Sequence, residues 1–428
     1  MDVGRDANKR VFNRLGPGPS SFPSSSSDKH QKVCFHWRAG KCNRNPCPFL
    51  HRELPPPPLN GTSKRSYGGV SDDVPFPGPR HHTSFNSSSS WGQPHGSNKV
   101  VRKTEKVCHF WEQGNCKHGD TCRFLHSWSL GDSFQLLTQL EGHQEGVSGI
   151  TLPSGSDKLY TGSKDNTLRA WDCQSGQCVG MMNLGDEVGC MISEGPWIFI
   201  GLPNLVKVLN LQTNVDQNLN GPVGQVYAMV VGNDLLFAGT QDGSVLAWKF
   251  NDATNCFEPA TMLKLHDLAV VSLVVGANRL YSGSMDKSIR VWDLETLQCI
   301  QTLTDHTSVV MSILCWDKFL LSCSLDKSIK VWFTNEIGKL EVTYTHNEEH
   351  GLLTLCGMLD LEGKPVLLCS CNDNSVRVYD LPSFFERGKI LAKQEVRSIQ
   401  AGPGLFFTGD GTGQLKVWKW LPESKAAS

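Results

Sequence analysis

The sequence of 428 residues predicts an all-β protein: a ring of seven four-stranded blades preceded by two small cysteine-rich modules. Three observations support this prediction. From Phe134 onward, short runs of β-branched and aromatic residues alternate with Gly, Asn and Asp turns. A segment of about 40 residues repeats along this part of the chain. Before residue 130, six cysteines fall into two clusters of nearly identical spacing.

Each repeat ends in a strand that closes on Trp or on a residue in its place. The steps between successive ends are 38, 39, 44, 40, 47 and 39 residues. The ends are Trp171, Leu209, Trp248, Trp292, Trp332, Tyr379 and Trp418, the second copy being the weakest. This spacing and pattern resemble WD40 repeats, each of which forms one blade of a β-propeller. The seven copies therefore predict a seven-bladed WD40 propeller over residues 131–420.

In the better copies an Asp precedes the Trp by six residues, and in three of them a His precedes that Asp by 20–22 residues. We expect the His, a strand hydroxyl, the Asp and the Trp N–H to satisfy one another in a buried network that locks the blade. Because the pattern recurs in several blades, it indicates structure rather than catalysis, and we predict no enzyme activity and no small-molecule substrate. The network residues are His143, Asp165 and Trp171; His266, Asp286 and Trp292; and His306, Asp326 and Trp332.

The ring needs a strand from outside the repeats to close it. Residues 134–140 alternate like a strand and are expected to complete the last blade beside residues 415–418. The second repeat lacks both the Asp and the Trp, and the seventh has Thr412 in place of the Asp. We expect these two blades to be the least firmly locked. The ten cysteines of the propeller are expected to be buried apolar side chains.

The two N-terminal clusters share one design, three cysteines followed by one histidine. The spacing is C-x7-C-x4-C-x3-H in the first and C-x7-C-x5-C-x3-H in the second. Three thiolates and one imidazole suit a tetrahedral, structural Zn²⁺ with no open position, so we predict two zinc ions. The predicted ligands are Cys34, Cys42, Cys47 and His51, and Cys108, Cys116, Cys122 and His126.

These clusters resemble CCCH zinc fingers of the tristetraprolin type, which bind single-stranded RNA. In that family, aromatic rings at the third position after the first Cys and two positions before the His stack on bases. The matching residues here are Trp37 and Phe49, and Trp111 and Phe124. Lys106, Lys117 and Arg123 of the second finger supply charge for phosphates. Phe35 and Phe110 are expected to cover the metal cluster instead.

Charge and composition separate the chain into a basic head and an acidic body. Residues 1–130 hold 19 Lys and Arg against 9 Asp and Glu, and residues 131–428 hold 22 against 33. The basic head points to a polyanionic partner. Proline and serine tracts predict disorder at 1–27 and in the linker 53–101. The remaining predicted segments are finger one at 28–52, finger two at 102–127 and a tail at 421–428.

Two spaced fingers before a propeller resemble the plant zinc-finger CCCH/WD40 family. The resemblance implies an adaptor whose fingers bind RNA, or alternatively DNA, and whose propeller recruits proteins. A chromatin-associated regulator, a histone-tail reader and a ubiquitin-ligase substrate receptor are alternatives, although the Trp171-Asp and Trp292-Asp dipeptides lack the Arg of a Trp-Asp-x-Arg box. Without a long apolar run or a signal peptide, the sequence predicts a soluble protein of nucleus or cytoplasm with no membrane partner.

Overall fold

The computed structural model describes residues 104–422. Contacts divide the chain after Pro94, and all described residues belong to the second unit, His95–Ser428. The predicted finger one, the predicted disordered segments and most of the predicted tail lie outside the described residues. No helix within 104–422 has the length and hydropathy of a membrane span.

The second finger folds around short elements. Strand β1 (Thr104–Val107) pairs in parallel with β2 (Phe124–Leu125), and between them lie helix α1 (His109–Glu112) and a 3₁₀ turn (Gly119–Thr121). Gly114, the second residue after the helix, has φ +72°, a left-handed conformation that glycine adopts without a Cβ penalty. A short strand β3 (Ser129–Leu130) then leads to the propeller.

Seven antiparallel sheets follow, which confirms the predicted all-β, seven-bladed propeller. Blades 1 to 3 comprise β5 (Val147–Thr151), β6 (Lys158–Ser163), β7 (Thr167–Asp172) and β8 (Cys178–Asn183); β9 (Cys190–Glu194), β10 (Trp197–Leu202), β11 (Leu205–Asn210) and β12 (Asp216–Asn220); and β13 (Val226–Gly232), β14 (Leu235–Thr240), β15 (Ser244–Asn251) and β16 (Cys256–Lys264).

Blades 4 to 6 comprise β17 (Val270–Gly276), β18 (Arg279–Ser284), β19 (Ile289–Asp293) and β20 (Cys299–Leu303); β21 (Val310–Trp316), β22 (Phe319–Ser324), β23 (Ser328–Thr334) and β24 (Leu340–Asn347); and β25 (Leu352–Leu359), β26 (Pro365–Cys371), β27 (Ser375–Asp380) and β28 (Phe385–Leu391). The first strands of neighbouring blades contact one another around the whole ring, so they line its centre.

Blade 7 closes the ring with a strand from the other end of the propeller. It contains β29 (Val396–Gly402), β30 (Leu405–Asp410), β31 (Leu415–Trp420) and β4 (Phe134–Leu140). The register pairs Leu415 with Leu140 and Trp420 with Phe134, which confirms the predicted closing strand. The shared sheet therefore joins the first strand of the propeller to its last blade by hydrogen bonds and closes the ring.

The predicted lock is present in blades 1, 4 and 5. In blade 5, His306 Nδ1 lies 2.8 Å from Asp326 Oδ2, and His306 Nε2 lies 2.8 Å from Ser322 Oγ. Trp332 donates its indole N–H to the same Ser322 hydroxyl at 2.8 Å. Burial lowers the pKa of the His306 imidazole, although Asp326 acts to raise it. Equivalent contacts join His143, Thr161, Asp165 and Trp171, and His266, Ser282, Asp286 and Trp292.

The other blades replace parts of this network. Glu348 stands four residues before the first buried residue of blade 6, where His306 stands in blade 5, and Tyr379 donates its hydroxyl to it. Blade 7 keeps the Trp418 bond to Thr408 at 2.9 Å but has Ala392 at the His position. The blade locks therefore differ in their polar content, as the sequence predicts for blade 7.

The propeller cysteines only partly follow the expectation of burial. Cys323, Cys369 and Cys371 are fully buried between blades 5 and 6. Cys173 and Cys178, in the hairpin that ends blade 1, are exposed, so the expectation is wrong for them. Hairpin residues at the rim lie beyond the apolar contact between blades, which explains the difference.

Candidate metal centre and nucleic-acid interface

The second cysteine cluster assembles as a metal site. One ligand atom from each of Cys108, Cys116, Cys122 and His126 lies within 4.8 Å of all the others. The Sγ atoms of Cys108 and Cys122 are 3.7 Å apart, and both side chains are buried. His126 Nε2 is a buried nitrogen with no hydrogen-bond partner. A buried polar atom without a partner is costly unless it binds a ligand, so this donor set fits Zn²⁺.

Local structure brings the four ligands together. The backbone N–H of Cys108 donates to Leu125 O at 2.8 Å, which places the ends of the finger side by side. Cys108 directly precedes α1, and burial acts to raise the pKa of its thiol. Hydrogen bonds to Trp111, Cys116 and Cys122 oppose that effect and lower the pKa overall. A lowered pKa favours the thiolate that binds metal.

The finger lies against the propeller rather than apart from it. Strand β3 pairs antiparallel with β28, so blade 6 has five strands. Leu391 donates its backbone N–H to Trp128 O at 2.8 Å. Trp128 is 5% exposed and packs in the apolar cluster between blades 6 and 7. The residues between finger and propeller therefore form a packed junction.

The junction also contains charged contacts. Lys393 pairs with Glu112 of the finger, and Lys389 Nζ lies 3.3 Å from Glu105 Oε2. The ammonium group of the buried Lys416 lies 4.2 Å from the centre of the Trp128 ring, a cation–π contact. Burial lowers the pKa of Lys416 to about 8. Sequence reasoning missed Trp128 and these lysines. The sequence feature that could have indicated the junction is the single Trp in the short segment between His126 and the first propeller strand.

The predicted base-stacking residues differ in their surroundings. Trp111 is half-buried: its ring stacks on His126 with centroids 5.9 Å apart and planes 9° apart, and it contacts Trp128 at 6.5 Å. Phe124 is 45% exposed. Phe110 is 61% exposed, so the expectation that it covers the metal cluster is wrong. The helix places Phe110 outward and turns Trp111, the next residue, toward the junction.

The predicted phosphate contacts are all at the surface. Lys106, Lys117 and Arg123 are exposed. Outside the described residues lie the predicted site residues of finger one: Cys34, Phe35, Trp37, Cys42, Cys47, Phe49 and His51. Within residues 104–422, the structure therefore presents one Cys₃His centre, one freely exposed predicted stacking ring and three exposed cationic side chains on the same finger.

Comparisons with known proteins agree with both parts of the chain. The zinc finger family of C-x8-C-x5-C-x3-H type and similar matches residues 103–127. The WD domain, G-beta repeat family matches residues 134–172, 257–293 and 297–332. The chain is 66% identical over 421 residues to zinc finger CCCH domain-containing protein 48 of Arabidopsis thaliana, covering 97% of each. It is 60% identical over 431 residues to zinc finger CCCH domain-containing protein 17 of Oryza sativa subsp. japonica, covering 98% of each.

Proposed function

Because the chain belongs to the plant family of zinc finger CCCH domain-containing proteins with WD40 repeats, we propose that it is a single-stranded RNA-binding adaptor whose propeller recruits proteins. The observation that carries the RNA part is the exposed Phe124 ring on the Cys₃His finger, which also exposes Lys106, Lys117 and Arg123. We further propose that finger one holds a second zinc ion and that the protein is not an enzyme.

The zinc ion would supply folding energy to a finger too small for a core of its own. The protein surface would then do the binding. Lys106, Lys117 and Arg123 neutralise phosphates and release counterions, and Phe124 offers a π-face to an unstacked base. Stacking requires an accessible base face, so it favours single strands over duplexes, whose bases are not accessible. It is also tolerant of base identity.

The clearest test uses the full chain with zinc and a fluorescent single-stranded RNA of random sequence. Phe124→Ala should weaken binding by about fivefold to a hundredfold, since stacking contributes roughly 1–3 kcal/mol per base. Phe319→Ala is the matched control because it removes a comparably exposed Phe from blade 5, far along the chain from the finger. Zinc content, measured on both variants, must remain unchanged.

Other outcomes would change the proposal. If Phe124→Ala binds RNA as tightly as the parent protein does, Phe124 is a packing residue and the stacking model is wrong. If double-stranded DNA of matched length binds more tightly than the RNA, the protein is a DNA-binding regulator instead. Crosslinking in cells followed by sequencing identifies the nucleic acid and its sequences directly.

A further inference from the structure

A cavity of about 400 Å³ lies between blades 2 and 3. We call it the aromatic notch, and its walls are the rings of Trp197, Phe199, Phe250 and Phe257. Trp197 and Phe199 lie on β10 of blade 2, whereas Phe250 and Phe257 lie on β15 and β16 of blade 3. Trp197, Phe250 and Phe257 are half-buried, so the notch is open to solvent.

The rings meet at steep angles. The centroid of Trp197 lies 5.3 Å from Phe257 with planes 86° apart, and 5.4 Å from Phe250 with planes 61° apart. Gln217 fixes the backbone of Phe257 by accepting its N–H and donating to its carbonyl, both at 2.9 Å. This edge-to-face packing joins the rings of the two blades, and the Gln217 amide clamp holds the Phe257 backbone in place.

The rim of the aromatic notch is acidic. Glu194, Asp234 and Asp252 line it, and all three are exposed, with Lys249 the single cationic lining residue. None of the three carboxylates forms an ion pair or a side-chain hydrogen bond with another residue of 104–422. Ring faces carry negative partial charge, so they and the carboxylates attract the same kind of group, a cation.

The corresponding place between blades 4 and 5 contains a cation from the chain itself. Strand pairing makes Arg279 the equivalent of Trp197, because they pair with Asp293 and Asn210, each one residue beyond the end of its repeat. The same amide clamp recurs there, between Gln301 and Leu340 at 2.8 and 2.9 Å. From this position Arg279 reaches across the blades and donates from Nη2 to Gly338 O at 3.2 Å.

At this position, therefore, blades 4 and 5 have a guanidinium from the chain itself that bonds across the blade boundary. Blades 2 and 3 have Trp197 at that position and three unpaired carboxylates at the rim. We propose that the aromatic notch binds the guanidinium of an arginine from a partner polypeptide, stacked on the Trp197 ring and paired with a rim carboxylate. A planar guanidinium suits this site because it stacks and forms paired hydrogen bonds, which an ammonium group cannot.

This inference rests on the proposed function only in that the propeller is taken to meet a polypeptide. It can be tested with full-length, zinc-loaded protein containing 5-fluorotryptophan at all 12 Trp positions. The ¹⁹F resonance of Trp197 is assigned with Trp197→Phe. Nα-acetyl-arginine methylamide is then titrated, and Nα-acetyl-lysine methylamide, which has the same charge, serves as the comparison.

We expect the Trp197 resonance to shift saturably with the arginine probe, with a dissociation constant on the order of 1 mM for so small a ligand. The lysine probe should bind about threefold to tenfold more weakly. Asp234→Asn combined with Glu194→Gln should weaken arginine binding by about tenfold, whereas Asp317→Asn, in the matching turn of blade 5, should leave it unchanged.

The proposal is overturned if the Trp197 resonance does not move, if lysine binds as tightly as arginine, or if Asp317→Asn weakens binding as much as the rim variant does. The remaining Trp resonances show whether each variant is folded. RNA binding by the finger is measured separately and does not report on the notch. If the notch does not bind arginine, the RNA proposal is unaffected. If the finger does not bind RNA, the arginine proposal is unaffected.

Discussion

Loss of the finger's zinc should destabilise the propeller as well as the finger. The sequence alone predicts independent folding units divided near residue 130, whereas the structure packs the finger onto blades 6 and 7 through Trp111, Glu112 and Trp128. Cys108→Ser removes one ligand, and the apo finger has too few apolar residues to remain folded. The contacts that it makes with the propeller should then be lost.

The magnitude follows from those contacts. The half-buried Trp111 ring and its contact with Trp128 contribute about 1–2 kcal/mol. The ion pairs from Lys393 and Lys389 to the finger are partly exposed and together add about 1 kcal/mol at most. A loss of about 2–3 kcal/mol should lower the melting temperature of a domain this large by roughly 4–8 °C.

The assay is calorimetric unfolding of the full chain, with zinc content measured on the same samples. Cys178→Ser is the control, because Cys178 is an exposed propeller thiol outside the metal cluster. Its zinc content and melting temperature should equal those of the parent. If Cys108→Ser loses zinc while the propeller melts at the parent temperature, the junction does not couple the two parts and the reasoning above is refuted.

Three further predictions concern the propeller. Trp128→Ala should lower the urea-unfolding free energy by about 3–5 kcal/mol, because it opens a cavity in a packed cluster; a loss below about 1 kcal/mol would show that the segment is not docked in solution. Asp326→Ala should cost about 1–3 kcal/mol for each buried partner left unpaired, and Asp242→Ala should cost less because its blade has no His; equal losses would contradict the lock. The free energy of unfolding, measured by urea titration at a series of pH values, should fall as the pH drops below about 6.5. Burial lowers the pKa of His143, His266 and His306, so the unfolded chain, with ordinary imidazoles, binds protons first; a flat profile between pH 7 and 5 would show that these residues are not buried neutral.

Much of the fold is predictable from the sequence because each repeat contains the residues that satisfy the buried polar groups of its own blade. Each His, hydroxyl, Asp and Trp set satisfies its own blade, so its spacing is fixed by strand and turn lengths and is visible in the chain. The metal ligands are predictable for the same reason, since one finger must bring all four together within a short segment. The closing strand is predictable from its alternation and its place before the first blade.

The junction and the aromatic notch are not predictable, because they depend on residues brought together by the ring. Trp128 meets Lys416 only after blade 7 closes. The equivalence of Trp197 and Arg279 becomes visible only through strand register. Phe110 and Trp111 are neighbours in sequence with opposite environments, and nothing in their spacing shows which one faces the propeller.

The closing strand has a consequence for synthesis of the protein. Gln139 on β4 and Gln414 beside β31 form a hydrogen bond at 2.6 Å across 275 residues of chain. At roughly 5–20 residues per second, a ribosome needs about 15–55 s to make the partner strand after the first has emerged. Until then Phe134 and Leu140 have no sheet to join, so the nascent chain exposes an apolar strand edge. A polypeptide released before residue 415 would keep that edge permanently and should be bound by chaperones or degraded rather than accumulate.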